Sequence, residues 1–164
     1  MLQQLLRLSA AIYERSEHRD LYKNGEVKHM ENKNPKHVVE AFFAACSELD
    51  FDNAMGFIDE DCVYKNMPFH TARGKARIQR DLGGMSKALN LFEVEMIHIA
   101  ENGDVVLTER IDTLGGKFFK IAIPLMGVLV VKNGLIVEWR DYFDWSNSVG
   151  KMGGSAFKKL FRLN

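Results

Sequence analysis

The sequence predicts an α+β domain in which helices come first and pack against one face of a curved, mostly antiparallel sheet. Three observations predict it. Apolar residues recur at helical spacing over 38–49, whereas from Leu91 onward the chain reads as long strands. Asn-Gly pairs at 102–103 and 133–134, with Gly115-Gly116 between them, are tight turns of the kind that join antiparallel neighbours. The last strand carries Asp141 on the face that alternation assigns to Leu135, Val137, Trp139 and Phe143, an apolar face apart from this one carboxylate.

The chain has 164 residues, 46% of them hydrophobic, which suffices for one domain with its own core. Its 22 basic and 22 acidic residues give a formal net charge of zero, so no electrostatic footprint for nucleic acid or an anionic membrane surface is expected. No run approaches the roughly 20 apolar residues of a membrane span. Arg7, Glu14 and Arg15 stand too early for a signal peptide, and a cytoplasmic protein is expected. Cys46 and Cys62 lie in apolar helix and strand contexts and read as reduced core thiols.

In chain order, Leu2, Leu5, Leu6, Leu8, Ala11 and Ile12 form an apolar side over 2–13, a short appended helix. Residues 16–34 are polar and aperiodic and read as a linker, within which Met30 offers an internal start. Residues 1–33 are therefore expected to be an extension and 34–164 the folding unit. Asn34 and Pro35 supply an N-cap and a first helical residue for the helix over 38–49. A second helix is expected over 52–58, with Met55 and Ile58 inward, and a short strand over 62–64 that ends before Pro68. Residues 74–82 have helical composition that Gly83-Gly84 would stop. Strands follow over 91–100, 105–114 and 118–131, the last requiring a bulge or an edge at Pro124, which lacks a backbone donor. The tail over 151–164 sets Phe157, Leu160, Phe161 and Leu163 among basic residues, as in a helix that docks on the domain or a partner subunit.

An ionised carboxylate among apolar side chains costs several kcal/mol unless a cation and donors compensate it. Arg110 and Asp112, two apart, share one face of their strand, and Tyr64 and Asn66 do the same on theirs. By itself an Asp141–Arg110 pair reads as a structural ion pair. A second carboxylate on the same guanidinium changes that reading, because the two acids must titrate in coupled steps with one apparent pKa raised. One can then act as base and the other as acid. Tyr64 and Asn66 add a hydroxyl and an amide able to orient one water. Glu109 and Arg140 should face away from this pocket, Trp139 and Tyr142 read as core or rim aromatics, and His70 is placed near the pocket mouth, most simply as a solvated loop residue. The five histidines form no metal-ligand spacing, and no metal is expected.

Three stretches, Tyr64-Lys65-Asn66-Met67-Pro68, Thr108-Glu109-Arg110-Ile111-Asp112 and Trp139-Arg140-Asp141-Tyr142-Phe143-Asp144, together resemble the motifs of limonene-1,2-epoxide hydrolase, in the same order over about 35–145. The resemblance implies a cone-shaped fold of the nuclear-transport-factor and ketosteroid-isomerase type, a homodimer, and no cofactor. It further implies an apolar epoxide and water as reactants. Asp141 would be the base, with Tyr64, Asn66 and Asp141 holding the attacking water, Asp112 the acid and Arg110 the bridge between the aspartates. It assigns Met85, Leu89, Leu91, Ile123, Leu125 and Phe143 to an apolar pocket wall. A ketosteroid-isomerase-like proton shuffle and a non-catalytic apolar-ligand-binding module are the competing readings, against which Asn66 and Arg110 favour hydrolysis.

Overall fold

The computed structural model describes residues 34–67, 70–86 and 89–143. The expected helix over 2–13, the linker before Asn34, the tail over 151–164 and the side chain of Met85 lie outside the described residues. The elements are α1 (Pro35–Ser47), α2 (Phe51–Gly56), β1 (Ile58–Met67), β2 (His70–Arg73), α3 (Lys75–Ser86), β3 (Leu91–Asn102), β4 (Val105–Gly116), β5 (Phe119–Lys132) and β6 (Leu135–Phe143). The strands form one curved, open sheet in the order β2-β1-β6-β5-β4-β3. Every neighbouring pair is antiparallel except β1 with β6. The expected α+β architecture is the observed one.

Local chemistry explains the elements. The Asn34 side chain accepts from the His37 backbone N–H at 3.1 Å and Pro35 follows it, so α1 starts where the capping pattern places it. The Glu101 carboxylate accepts from the Lys36 backbone N–H at 3.1 Å and from Asn34 Nδ2 at 3.2 Å, which ties this helix end to β3. Val38, Val39, Phe42, Phe43 and Cys46 bury the inner side of α1 against the sheet. Asn133 and Gly134 both have positive φ, 54° and 82°, as a two-residue hairpin turn requires, and they set the register of β5 with β6.

Four expectations are corrected, and the choice left open at Pro124 is decided. Ile58 opens β1 instead of closing α2, and β1 runs ten residues because its inner row packs under the helices. His70 belongs to a strand, β2, that lies antiparallel to β1. Gly83-Gly84 do not stop α3, which runs on to Ser86: neither glycine adopts a positive φ, and Ile78 and Leu82 hold the helix on the core. At Pro124 the edge alternative holds and the bulge does not: the β4–β5 register runs through it unbroken, and β6 pairs with β5 only up to Leu125 among the described residues. A bulge occurs instead at Val137, where Val130 pairs with Glu138 and Val131 with Ile136. The extra residue reverses the alternation, so Ile136 is fully buried in place of Leu135.

Candidate active site

The inner face of β4 reads Val106, Thr108, Arg110, Asp112, Leu114, and that of β6 ends in Trp139 and Asp141. The parallel β1–β6 pairing sets Tyr64 beside Trp139 and Asn66 beside Asp141. Period-two alternation on three strands thus delivers Tyr64, Asn66, Arg110, Asp112 and Asp141 to one place. Thr108 lies there too.

Arg110 is the centre of the cluster and is 0% exposed. Its Nε donates to Asp112 Oδ1 at 3.0 Å, its Nη2 to Asp141 Oδ1 at 2.7 Å, and its Nη1 to Thr108 Oγ1 at 2.9 Å. The Phe43 ring of α1 lies 4.3 Å from the guanidinium carbon. Burial works against the positive charge, but the two carboxylates outweigh it and hold the guanidinium above its ordinary pKa.

Asp141 Oδ1 receives a second donor, Trp139 Nε1, at 2.8 Å. The indole is itself fixed by stacking on Tyr64 at 4.1 Å and by the edge of Phe42 at 5.1 Å. Oδ1 is therefore occupied, and Oδ2 is the oxygen that faces the Tyr64 hydroxyl at 3.5 Å, too long for a strong O–H···O bond. Burial, followed by the Asp141 carboxylate, pushes the Tyr64 phenol well above its usual pKa, so it stays a neutral donor. The Asn66 amide is buried, and it has no hydrogen-bond partner among the described residues.

Asp112 is pushed up to about 6. Burial is the main cause; Arg110 opposes it and the charge of Asp141 adds to it. The expected rise of one acid is present, but desolvation contributes more to it than the neighbouring carboxylate does.

Tyr64, Asn66, Asp112, Trp139 and Asp141 border a cavity of about 60 Å³ whose remaining wall is apolar. Ile123, Leu125 and Phe143 line it, as do Leu82, Phe92 and Leu114. Leu89 is buried and Leu91 half-buried, and neither reaches that lining. The alternation of β3 turns Phe92 inward in place of Leu91, and the extra turn of α3 keeps Leu82 on the wall. His70 Nε2 lies 3.5 Å from Asp81 Oδ2, and its ring meets the edge of Tyr64 at 6.2 Å. Glu109 faces away and meets His98 at 2.8 Å, as its parity requires.

A larger hollow, about 630 Å³, opens on the other face of the sheet beside Ile97, Ile111, Pro124, Met126 and Tyr142. Its carboxylate is Glu109, paired with His98 at 2.8 Å, and none of Tyr64, Asn66, Asp112 and Asp141 lines it. Among the described residues no three His, Cys, Asp or Glu side chains converge as metal ligands, and no helix is long and apolar enough to cross a membrane.

Residues 33–152 match the limonene-1,2-epoxide hydrolase catalytic domain. The chain belongs to the limonene-1,2-epoxide hydrolase family. Epoxide hydrolase EphG of Mycobacterium tuberculosis (strain ATCC 25618 / H37Rv) is 39% identical to it over 106 residues, 65% of this chain and 70% of that protein. The solved structure of an M. tuberculosis LEH-like epoxide hydrolase superposes with a TM-score of 0.65 at 35% identity, covering 78% of this chain and 90% of the other. A putative SnoaL-like polyketide cyclase from Shewanella putrefaciens CN-32 has a TM-score of 0.65 at 17% identity, over 74% of this chain and 99% of its own, and shares the fold. As a limonene-1,2-epoxide hydrolase family member, the chain is an epoxide hydrolase. Two residues to which the sequence assigned no functional part join the cluster: Thr108, and Trp139, expected only as a core or rim aromatic. Thr108 and Trp139 each stand two positions before a functional residue, and that spacing was the available signal.

Proposed function

We propose that this protein hydrolyses a lipophilic epoxide to a vicinal diol by direct attack of water. The observation that carries the reading is one fully buried guanidinium joining two carboxylates beside a phenol and a free amide on an apolar cavity. Tyr64, Asn66 and Asp141 Oδ2 hold the water. As its oxygen forms a bond to an epoxide carbon, the carbon–oxygen bond of the ring breaks, Asp141 takes the water's proton and Asp112 gives its own to the epoxide oxygen. The pair returns to its starting state when Asp141 loses a proton to solvent and Asp112 regains one.

Arg110 and Trp139 occupy Oδ1 of Asp141, which leaves Oδ2 as the basic atom. The raised pKa of Asp112 keeps its proton available in mildly acidic solution, the state an acid needs. Leu82, Phe92, Leu114, Ile123, Leu125 and Phe143 favour an apolar substrate held by burial. A cavity of about 60 Å³ has room for about two waters, so a ring-bearing epoxide must displace wall side chains to enter. An isomerase has no use for a water site, and Asn66 is the residue that separates the two readings.

The test is diol formation from a panel of cyclic and terpene epoxides by wild type and Asp141→Asn. Turnover by wild type alone supports the reading, and no turnover of any epoxide by folded wild type rejects it. The family resemblance further supports a homodimer. Exposed Met126 (59%), Leu107 (49%) and Ile97 (40%) on the outward sheet face are consistent with one. A monomeric mass by light scattering would remove that part.

A further inference from the structure

β5 separates the strand of Arg110 from the strand of Asp141, so the guanidinium must lie across β5 to hold both aspartates. It crosses at Gly127, which pairs with Thr108 on β4 and with Asp141 on β6. The other inward positions of this stretch, Ile121, Ile123, Leu125, Leu129 and Val131, all carry branched side chains. Gly127 has no positive φ, so backbone conformation does not call for glycine here. Space does. A Cβ at 127 would overlap Arg110 Nη1, stand 2.6 Å from Thr108 Oγ1 and 3.2 Å from Asp141 Oδ1. The guanidinium cannot swing aside as a free side-chain end would, because three hydrogen bonds and the Phe43 ring hold it.

We infer that Gly127 and Thr108 are positioning residues of the acid and base: the missing side chain at 127 is the slot through which one guanidinium bridges Asp112 and Asp141, and the Thr108 hydroxyl fixes its third nitrogen. The effect on rate rests on the hydrolase reading. The coupling between positions 127 and 110 rests on geometry alone. Forcing the guanidinium out by about 1 Å is enough to cost on the order of 10²-fold in rate. The wall that binds substrate is untouched.

The experiment is Gly127→Ala made in wild type and in Arg110→Met. Thermal stability is measured at pH 5, where Asp112 is mostly protonated and loss of the guanidinium strands a single carboxylate. The expected result is a fall in Tm on the order of 5 °C, or failure to fold, in the chain that keeps Arg110, and a much smaller loss in the Arg110→Met background. In the folded Gly127→Ala enzyme kcat falls with KM little changed. The alkaline limb of the pH profile moves upward, because the cation that lowers the Asp112 pKa is displaced. Thr108→Val shifts the limb the same way and Thr108→Ser restores it. An equal stability loss in both backgrounds, or full kcat with an unmoved limb in Gly127→Ala, overturns the inference. Absence of epoxide turnover by wild type rejects the hydrolase reading and leaves the stability coupling to decide this one.

Discussion

Trp139 donates its indole N–H to Asp141 at 2.8 Å from two positions earlier on the same face of β6. Arg110 donates to the same oxygen at 2.7 Å. Two donors on Oδ1 fix the plane of the carboxylate and direct its other oxygen to the Tyr64 hydroxyl.

Trp139→Phe keeps an aromatic ring on Tyr64 and removes one hydrogen bond to a charged group, worth about 1.5–3 kcal/mol. A fall in kcat of roughly tenfold or more is expected, with the fold retained by circular dichroism. Unchanged kcat would mean that Arg110 alone orients Asp141.

Asp141→Asn and Asp112→Asn each remove one proton transfer with little change of volume. Each should lower kcat/KM by about 10²–10⁴-fold while the cooperative unfolding transition persists. Near-normal turnover in either variant assigns the acid or base elsewhere.

The pH profile follows from Asp112, which must carry its proton to serve as acid. Its pKa is raised to about 6, so kcat/KM is expected to fall as pH rises through that region, and Asp112→Asn should lose the limb along with the activity. Stability has the same sign. Between the ordinary aspartate value and about 6 the folded state binds more protons than the unfolded state, so stability declines as pH rises through this window. Urea titrations at pH 4 and pH 7 measure it, and Asp112→Asn should reduce the difference.

Arg110→Ala leaves two carboxylates uncompensated in a confined site and empties the space under Phe43. A loss of about 3–5 kcal/mol is expected near neutral pH by urea denaturation. A loss below about 1 kcal/mol would indicate a better-hydrated site than the burial of Arg110 implies.

Much of the cluster was legible because strands repeat every two residues. The pairs Tyr64/Asn66 and Arg110/Asp112, with Asp141 on a third strand, needed only shared inward faces to meet. What the sequence did not carry was non-local. The parallel β1–β6 pairing joins segments more than seventy residues apart with no turn to announce it, and it decides that Asn66 stands beside Asp141. The bulge at Val137 reverses one strand's alternation, so strict parity misplaces Ile136. The family resemblance assigned Leu91 to the wall, whereas its neighbour Phe92, paired with Leu114 of β4, lines the cavity, a placement that depends on the β3–β4 register. The need for glycine at 127 is likewise non-local, since it depends on Thr108 and Arg110 of β4 and Asp141 of β6 meeting beside it.

Direct attack of water on the epoxide is tested by a single turnover in ¹⁸O-labelled water with enzyme in excess over substrate. Direct attack puts ¹⁸O into the diol formed in that first turnover. Unlabelled diol, with the label appearing in the protein, would mean that a carboxylate such as Asp141 attacked the epoxide itself, and would contradict the account.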